Sequence, residues 1–290
     1  MRAEIITIGD ELLIGQVVDT NSSFIAQELD KIGIEVSRIL SISDEPSEIM
    51  TALHEGYKRS NLVILTGGLG PTNDDVTKGV LTEFLEDSLV QNEAVVENIQ
   101  DLFSRYHLKL PLQANLQQAM VPSRAEILMN VHGTAPGLWM VKENVVFVAL
   151  PGVPFEMKHL LKEEVLPRIT GRFQRSYNYH KTLLTYGMGE SAIAARLSQW
   201  EENLPKGIKL GYLPSLGKVR LRLSSNGPNQ EELLERVDEQ MDVLQEILSD
   251  VAVGLEEEAT LPERIGKLMT LKKKFLSTAE SCTGGKIAAE

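Results

Sequence analysis

The sequence predicts an α/β protein with a parallel sheet, because strand-like and helix-like stretches alternate along its first 165 residues. Two further observations extend this. The order βαββαβ over residues 181–254 predicts a small α+β sandwich. A final helix, strand and helix start from 261 onward predict the beginning of a third α/β domain. At 290 residues the chain can hold two domains and a sizeable core. Its apolar content of 42% and charged content of 24% are ordinary for a globular protein.

Residues 4–8 (EIITI) read as the first strand, ending in Gly9-Asp10-Glu11. Asp19 to Ser22 offer caps for a helix with Phe24, Ile25, Leu29 and Ile32 on its apolar face, and Gly33 closes it. Residues 34–42 alternate like a strand and end at Ser43-Asp44. Pro46 suits the first turn of a helix running to about Ser60. The apolar strand 62–66 then enters the stretch that carries most of the chemistry, Gly67-Gly68-Leu69-Gly70-Pro71-Thr72-Asn73-Asp74-Asp75.

Glycines let backbone N–H groups approach an anion, and a helix start favours negative charge. A carboxylate beside an anion site is repulsive unless a cation lies between them. The loop therefore points to a phosphate held with a divalent metal, with Asp75 as the nearest ligand. A Gly-rich turn with an Asp cap also occurs in α/β proteins that bind nothing there, and the loop is neither a Walker A sequence nor G-x-G-x-x-G. Asp10, Asp44 and Asp75 each follow the C-terminal end of a different strand. In an open parallel sheet those ends share one edge, where ligands bind. A single Asp there is ordinarily a cap; three together with the glycine loop favour a site in which Asp75, with Asp44 or Asp10, holds the metal and a remaining acid orients or deprotonates the water.

Residues 78–106 read as helical and 111–120 as a further short helix. Residues 138–141 and 145–149 read as a hairpin about Glu143-Asn144, the second strand apolar throughout and therefore central. Pro151-Gly152 shapes a second backbone wall, followed by a helix from Phe155 to about Val165. His132 reads as a turn residue. Pro167 to Tyr179 reads as a domain boundary. In the next domain Val219, Leu221 and Leu223 face inward and Lys218, Arg220 and Arg222 outward, without the interleaved aromatics of a nucleic-acid surface. A helix from about Asn229 to Leu248 follows. Residues 256–260 read as a linker and 274–280 (KFLSTAE) as a strand.

The net charge of −12 argues against nucleic-acid partners. No run approaches the ~20 apolar residues of a membrane span, and the N-terminus lacks a signal-peptide core, so a cytoplasmic location is expected. Cys282 is the single cysteine, which leaves no intramolecular disulfide and no cysteine zinc cluster.

The stretches GDELLIGQVVDTNSSFIAQEL, TGGLGPTNDDVT, NVHGTAPGLW, LPGVPFEM and TAESCTGG, in that order, resemble the bacterial CinA (competence/damage-inducible) family. Residues 1–168 resemble the MoaB/MogA-like molybdopterin-binding domain, a three-layer α/β/α fold. The resemblance implies a metal-dependent pyrophosphatase acting on ADP-ribose, with Mg²⁺, Mn²⁺ or Co²⁺. It also implies a KH-like domain at 169–254 and, from 255 to 290, a linker and the start of a nicotinamide mononucleotide deamidase domain. A cytoplasmic homodimer in pyridine-nucleotide recycling is implied too. Carried over residue by residue, Asp44 and Asp75 match the important acids of the MogA-like proteins. Gly67, Gly68 and Gly70, with Thr72 and Asn73, match the phosphate loop; Asp10, Glu11 and Asn21 match the first-strand motif. Ser281 falls where the deamidase has its nucleophile, but the later residues that would activate it are absent from these 290. Ser281 and Thr283 are therefore expected to act as a capping pair. Leu69 stands where the molybdenum-cofactor enzymes usually have Thr, which tilts away from pterin adenylylation. The other readings left open are a molybdopterin- or nucleotide-binding module without hydrolysis and a competence-related interaction module.

Overall fold

The computed structural model describes residues 1–72, 75–107, 113–173, 176–256 and 261–289, apart from the side chains of 114, 261 and 264. The chain divides into two compact units, Met1–Asn178 and Tyr179–Glu290.

The first unit is a six-stranded sheet between two helical layers. Its strands are β1 (Arg2–Ile8), β2 (Glu35–Ile42), β3 (Leu62–Thr66), β6 (Glu126–Leu128), β7 (Gly137–Lys142) and β8 (Val145–Leu150), in the order β2-β1-β3-β8-β7-β6. β2, β1, β3 and β8 run parallel, whereas β7 pairs antiparallel with β8 and with β6. The helices are α1 (Asp10–Leu13), α2 (Asn21–Lys31), α3 (Pro46–Arg59), α4 (Thr77–Phe84), α5 (Glu93–Arg105), α6 (Gln113–Gln117), α7 (Pro154–Leu160) and α8 (Leu166–Arg172). A small ladder of β4 (Leu89–Gln91) and β5 (Met120–Pro122) lies apart from the main sheet.

The period of two in each strand sends alternate side chains to opposite faces. Ile6, Ile8, Val63, Leu65, Phe147 and Ala149 pack with Ile49, Leu53, Val80, Leu81 and Phe84 of α3 and α4. Ala3, Ile5, Leu62, Ile64, Val146 and Val148 pack with Ile25 and Leu29 of α2 and Met157, Leu160 and Ile169 of α7 and α8. Every residue of β3 and β8 is buried, as central parallel strands require. The expected hairpin turns at Glu143, which takes φ 55°.

Several expectations need correction. The helix read over 78–106 is interrupted, because Leu89–Gln91 pairs with Met120–Pro122 and Asn92 caps a new helix through its side chain. The helix beginning near 155 does not stop at Val165. It passes through a π-helical turn (Leu161–Val165) into α8, with Pro167 directly after the π turn, where the regular hydrogen-bond ladder is already interrupted. Residues 274–280 form no strand: Phe275 is fully exposed and no neighbouring strand offers a ladder. The short helix read over 111–120 is α6, with Leu108 to Leu112 outside the described residues; the linker read at 256–260 lies there too, beyond Glu256.

The second unit contains β9 (Tyr177–Tyr186), α9 (Glu190–Glu202), β10 (Ile208–Ser215), β11 (Lys218–Gly227), α10 (Gln230–Ile247) and β12 (Ala252–Leu255), the expected βαββαβ order. Its sheet runs β10-β11-β9-β12. Val219, Leu221 and Leu223 join Leu183, Ile193, Leu197, Val237, Met241 and Leu244 in one core. α11 (Leu261–Leu271) and α12 (Lys286–Ala289) follow. No helix among the described residues is long and apolar enough to cross a membrane.

Candidate active site

The parallel strands end at Ile8, Ile42, Thr66 and Leu150, and a cleft of about 350 Å³ opens beyond those ends. Its floor is the glycine loop. Gly67 takes φ 115° and donates its N–H to Leu150 O at 3.1 Å; a Cβ there would lie 2.2 Å from Ile8 O. Gly68 takes φ 65°, and a Cβ there would lie 2.1 Å from Thr77 Oγ1. Gly70 leaves room for the Asp75 carboxylate, 2.5 Å from where its Cβ would sit. Gly67 and Gly68 take backbone angles that favour glycine and meet a fixed neighbour, whereas a side chain at Gly70 would displace the Asp75 carboxylate.

Two walls are tied together by Asn21 at the start of α2. Its Nδ2 donates to Thr66 Oγ1 at 3.1 Å and Gly152 O at 2.8 Å, and Thr66 Oγ1 donates to Pro151 O at 2.9 Å. Asn21 is thus a brace and does not itself line the cleft. Gly152 does, packed against Gly67. Asp75 accepts hydrogen bonds from Thr72 N at 2.8 Å and from Thr72 Oγ1, so Thr72 acts by holding this carboxylate.

Asp44 and Asp75 line the cleft together with Glu11. Asp10, one residue closer to β1, does not; its backbone N–H donates to Asp44 Oδ2 at 3.3 Å. The helical turn of α1 decides between the neighbours, since Gly9 leaves the space that the Glu11 carboxylate fills. Asn73 and Asp74 lie outside the described residues.

Glu156 and Gln118, which line the cleft, and Lys78 beside it escaped the sequence reading. Glu156 lines the cleft from the first turn of α7, where an acid looks like an ordinary helix-dipole choice. Burial raises its pKa, while the Asn130 hydrogen bond and His132 oppose the rise. Gln118 lines the cleft from a segment whose sequence shows no motif. Lys78, in the first turn of α4 and three residues after Asp75, donates to Gln117 O at 3.0 Å; burial pulls its pKa down to about 8, against the pull of Asp75. Around the loop, Asn21 Oδ1, Thr77 Oγ1 and Gln118 Oε1 are buried without a hydrogen-bond partner, a cost that folded proteins ordinarily avoid outside functional sites.

Among the described residues no three of His, Cys, Asp and Glu stand close enough to hold a metal ion by themselves. The cleft nevertheless offers the hard carboxylate oxygens of Glu11, Asp44 and Asp75, with the Glu156 carboxylate coming from a separate element. That set fits a cation of the Mg²⁺ kind, which ordinarily takes one or two protein carboxylates and completes its shell with phosphate and water.

Ser281 belongs to the second unit and sits in an exposed turn before α12. The expected Ser281–Thr283 cap is not formed by those side chains. Glu280 caps α12 instead, accepting from Ile287 N at 3.0 Å and Ala288 N at 2.8 Å.

The fold and cleft define an α/β ligand-binding domain followed by a KH-type domain, and comparison with known proteins identifies both. Residues 4–171 match the "Probable molybdopterin binding domain" family and 180–254 the "Damage-inducible protein CinA KH domain". The chain is 53% identical over its full length to a CinA-like protein of Flavobacterium psychrophilum, spanning 69% of that protein. It is 44% identical to a CinA-like protein of Cytophaga hutchinsonii, with 99% of this chain and 68% of that protein covered. A crystal structure of CinA from Thermoplasma acidophilum, described as of unknown function, overlays 58% of this chain and 97% of its own at 33% identity and a TM-score of 0.53. The chain belongs to the CinA family.

Proposed function

We propose that the first unit is a metal-dependent hydrolase that splits the pyrophosphate of ADP-ribose into AMP and ribose 5-phosphate. One observation carries this reading: two strand-end acids, Asp44 and Asp75, share one cleft with a glycine loop whose backbone leaves no room for side chains. The N–H groups of this loop bind one phosphate without adding bulk, and Lys78 lends positive charge behind Asp75. Asp44 and Asp75 would hold the divalent cation, Mg²⁺, Mn²⁺ or Co²⁺, which when bound would supply charge neutralisation for the phosphate and a lowered pKa for water. Thr72 keeps Asp75 oriented, and Asn21 keeps the Gly152 wall against the loop.

The test is turnover of ADP-ribose with each metal and with EDTA, in wild type and Asp75→Asn. Metal-dependent release of AMP, lowered at least about tenfold by Asp75→Asn, is expected. Unchanged turnover in the variant rules the assignment out. The molybdopterin-binding description of the matched family favours a second reading, a pterin or nucleotide binder without hydrolysis. It predicts retained ligand and no product. Deamidation of nicotinamide mononucleotide is not assigned to these 290 residues, where Ser281 stands in an exposed turn.

A further inference from the structure

We infer that Glu156 is the proton acceptor of the cleft, which rests on the hydrolase reading above. The inference starts from Asn130, a fully buried residue between β6 and β7. Its Oδ1 accepts the N–H groups of His132 at 3.1 Å and Gly133 at 3.0 Å. Its Nδ2 donates to Ala135 O at 2.9 Å and to Glu156 Oε2 at 2.7 Å. Both amide protons and both oxygen lone pairs are engaged, so the side chain cannot turn and the Glu156 carboxylate is held in one orientation. Asn98 holds the same residue from behind, donating to Asn130 O at 2.9 Å.

Gly133 closes around this carboxylate as well. A Cβ at that position would lie 2.2 Å from Glu156 Oε2, so glycine is what allows the carboxylate its seat. The His132 ring packs 4.7 Å from Phe155 and 4.4 Å from His159, which fastens the loop to the first turn of α7. The result is a carboxylate with one oxygen fixed by an amide and the other, Oε1, without a hydrogen bond among the described residues. It lines the same cleft as the glycine loop.

Asp75 sits against Gly70 of the glycine loop, and Asp44 follows β2; these two are the acids assigned to the cation. Glu156 comes from a separate element, and burial favours its protonated form. Carboxylates whose surroundings differ in this way divide into ligand and acid–base roles. In the step, a water oxygen bonds to phosphorus. The bridging P–O bond breaks, and its electron pair leaves with the departing phosphate. One water proton passes to Glu156 Oε1 and then to solvent, with no change of oxidation state.

The experiment compares wild type, Glu156→Gln and Glu156→Ala on ADP-ribose with Mn²⁺. Glu156→Gln preserves the acceptor for Asn130, so its fold and KM stay near wild type while kcat falls about 100-fold or more. The acidic limb of the wild-type kcat profile disappears in this variant. That profile is read against His132 and His159 beside Glu156 and against Glu11, Asp44 and Asp75 in the cleft. Added formate restores turnover to Glu156→Ala by supplying a carboxylate to the Asn130 amide. A Glu156→Gln kcat within about threefold of wild type overturns this inference and leaves the hydrolase reading standing. Wild type without turnover on any metal overturns both.

Discussion

At the scale of single residues, the site depends on where glycine is obligatory. Gly68→Ala places a Cβ 2.1 Å from Thr77 Oγ1 at φ 65°, a conformation that costs an L-residue about 1–2 kcal/mol before any clash. Gly79, in α4, meets nothing within 4 Å, and Gly79→Ala should stabilise by roughly 0.5–1 kcal/mol. Thermal unfolding should therefore move the two variants in opposite directions, by several degrees down for Gly68→Ala. A Gly68→Ala protein as stable as wild type would show that the loop is not tightly held. The sequence made Asp44, Asp75 and the loop glycines legible because they follow strand ends directly. It hid Glu156, because an acid in a first helical turn has a local explanation. It singled out Asp10 as a strand-end acid and gave Glu11 only as part of the first-strand motif, and the turn of α1 puts Glu11 on the cleft.

At the scale of elements, one carboxylate clamps two connections. Asp87, just after α4, accepts from Ser88 N at 2.8 Å, Ser123 Oγ at 2.5 Å and Arg124 N at 3.0 Å, which ties α4 to the β5–β6 turn. The Ser123 bond leads the causes that lower its pKa to about 2, with burial opposing. A carboxylate lowered on folding stabilises in full above its ordinary pKa of about 4. That contribution is lost as pH falls through about 2. Asp87→Asn should lower the unfolding midpoint at pH 7, and the gap from wild type should narrow between pH 4 and pH 2. Urea titrations at several pH values read this directly, and a gap that widens toward acid would refute it. The β4–β5 ladder that this clamp borders could not be read from sequence. Each strand has three residues, too few for a period of two to register, and the partners lie far apart in the chain. The longer parallel strands were legible because burial on both faces makes them continuous apolar runs.

At the scale of the whole molecule, each unit has its own buried cores. The residues proposed to hold phosphate, metal and proton all lie before residue 178. A chain of residues 1–178 should therefore bind ADP-ribose within about threefold of the full protein, measured by calorimetry. A larger loss would mean that the second unit contributes to the site. The alternation of strands and helices made the three-layer fold legible, and the βαββαβ order did the same for the second unit. Residues 274–280 misled because strand propensity has no consequence without a neighbour to pair with.

The position of β8 sets the timing of synthesis. Leu62 pairs with Val146, and Thr66 with Leu150, so the edge of β3 that carries the glycine loop stays open long after it is made. At ordinary translation speeds the delay is on the order of ten seconds. Throughout it β3 can pair with β1 but presents its other edge unpaired, and Gly67 has no carbonyl to receive its N–H. The cleft thus comes into being only as β8 docks, and a nascent chain shorter than about Glu156 lacks one of its walls.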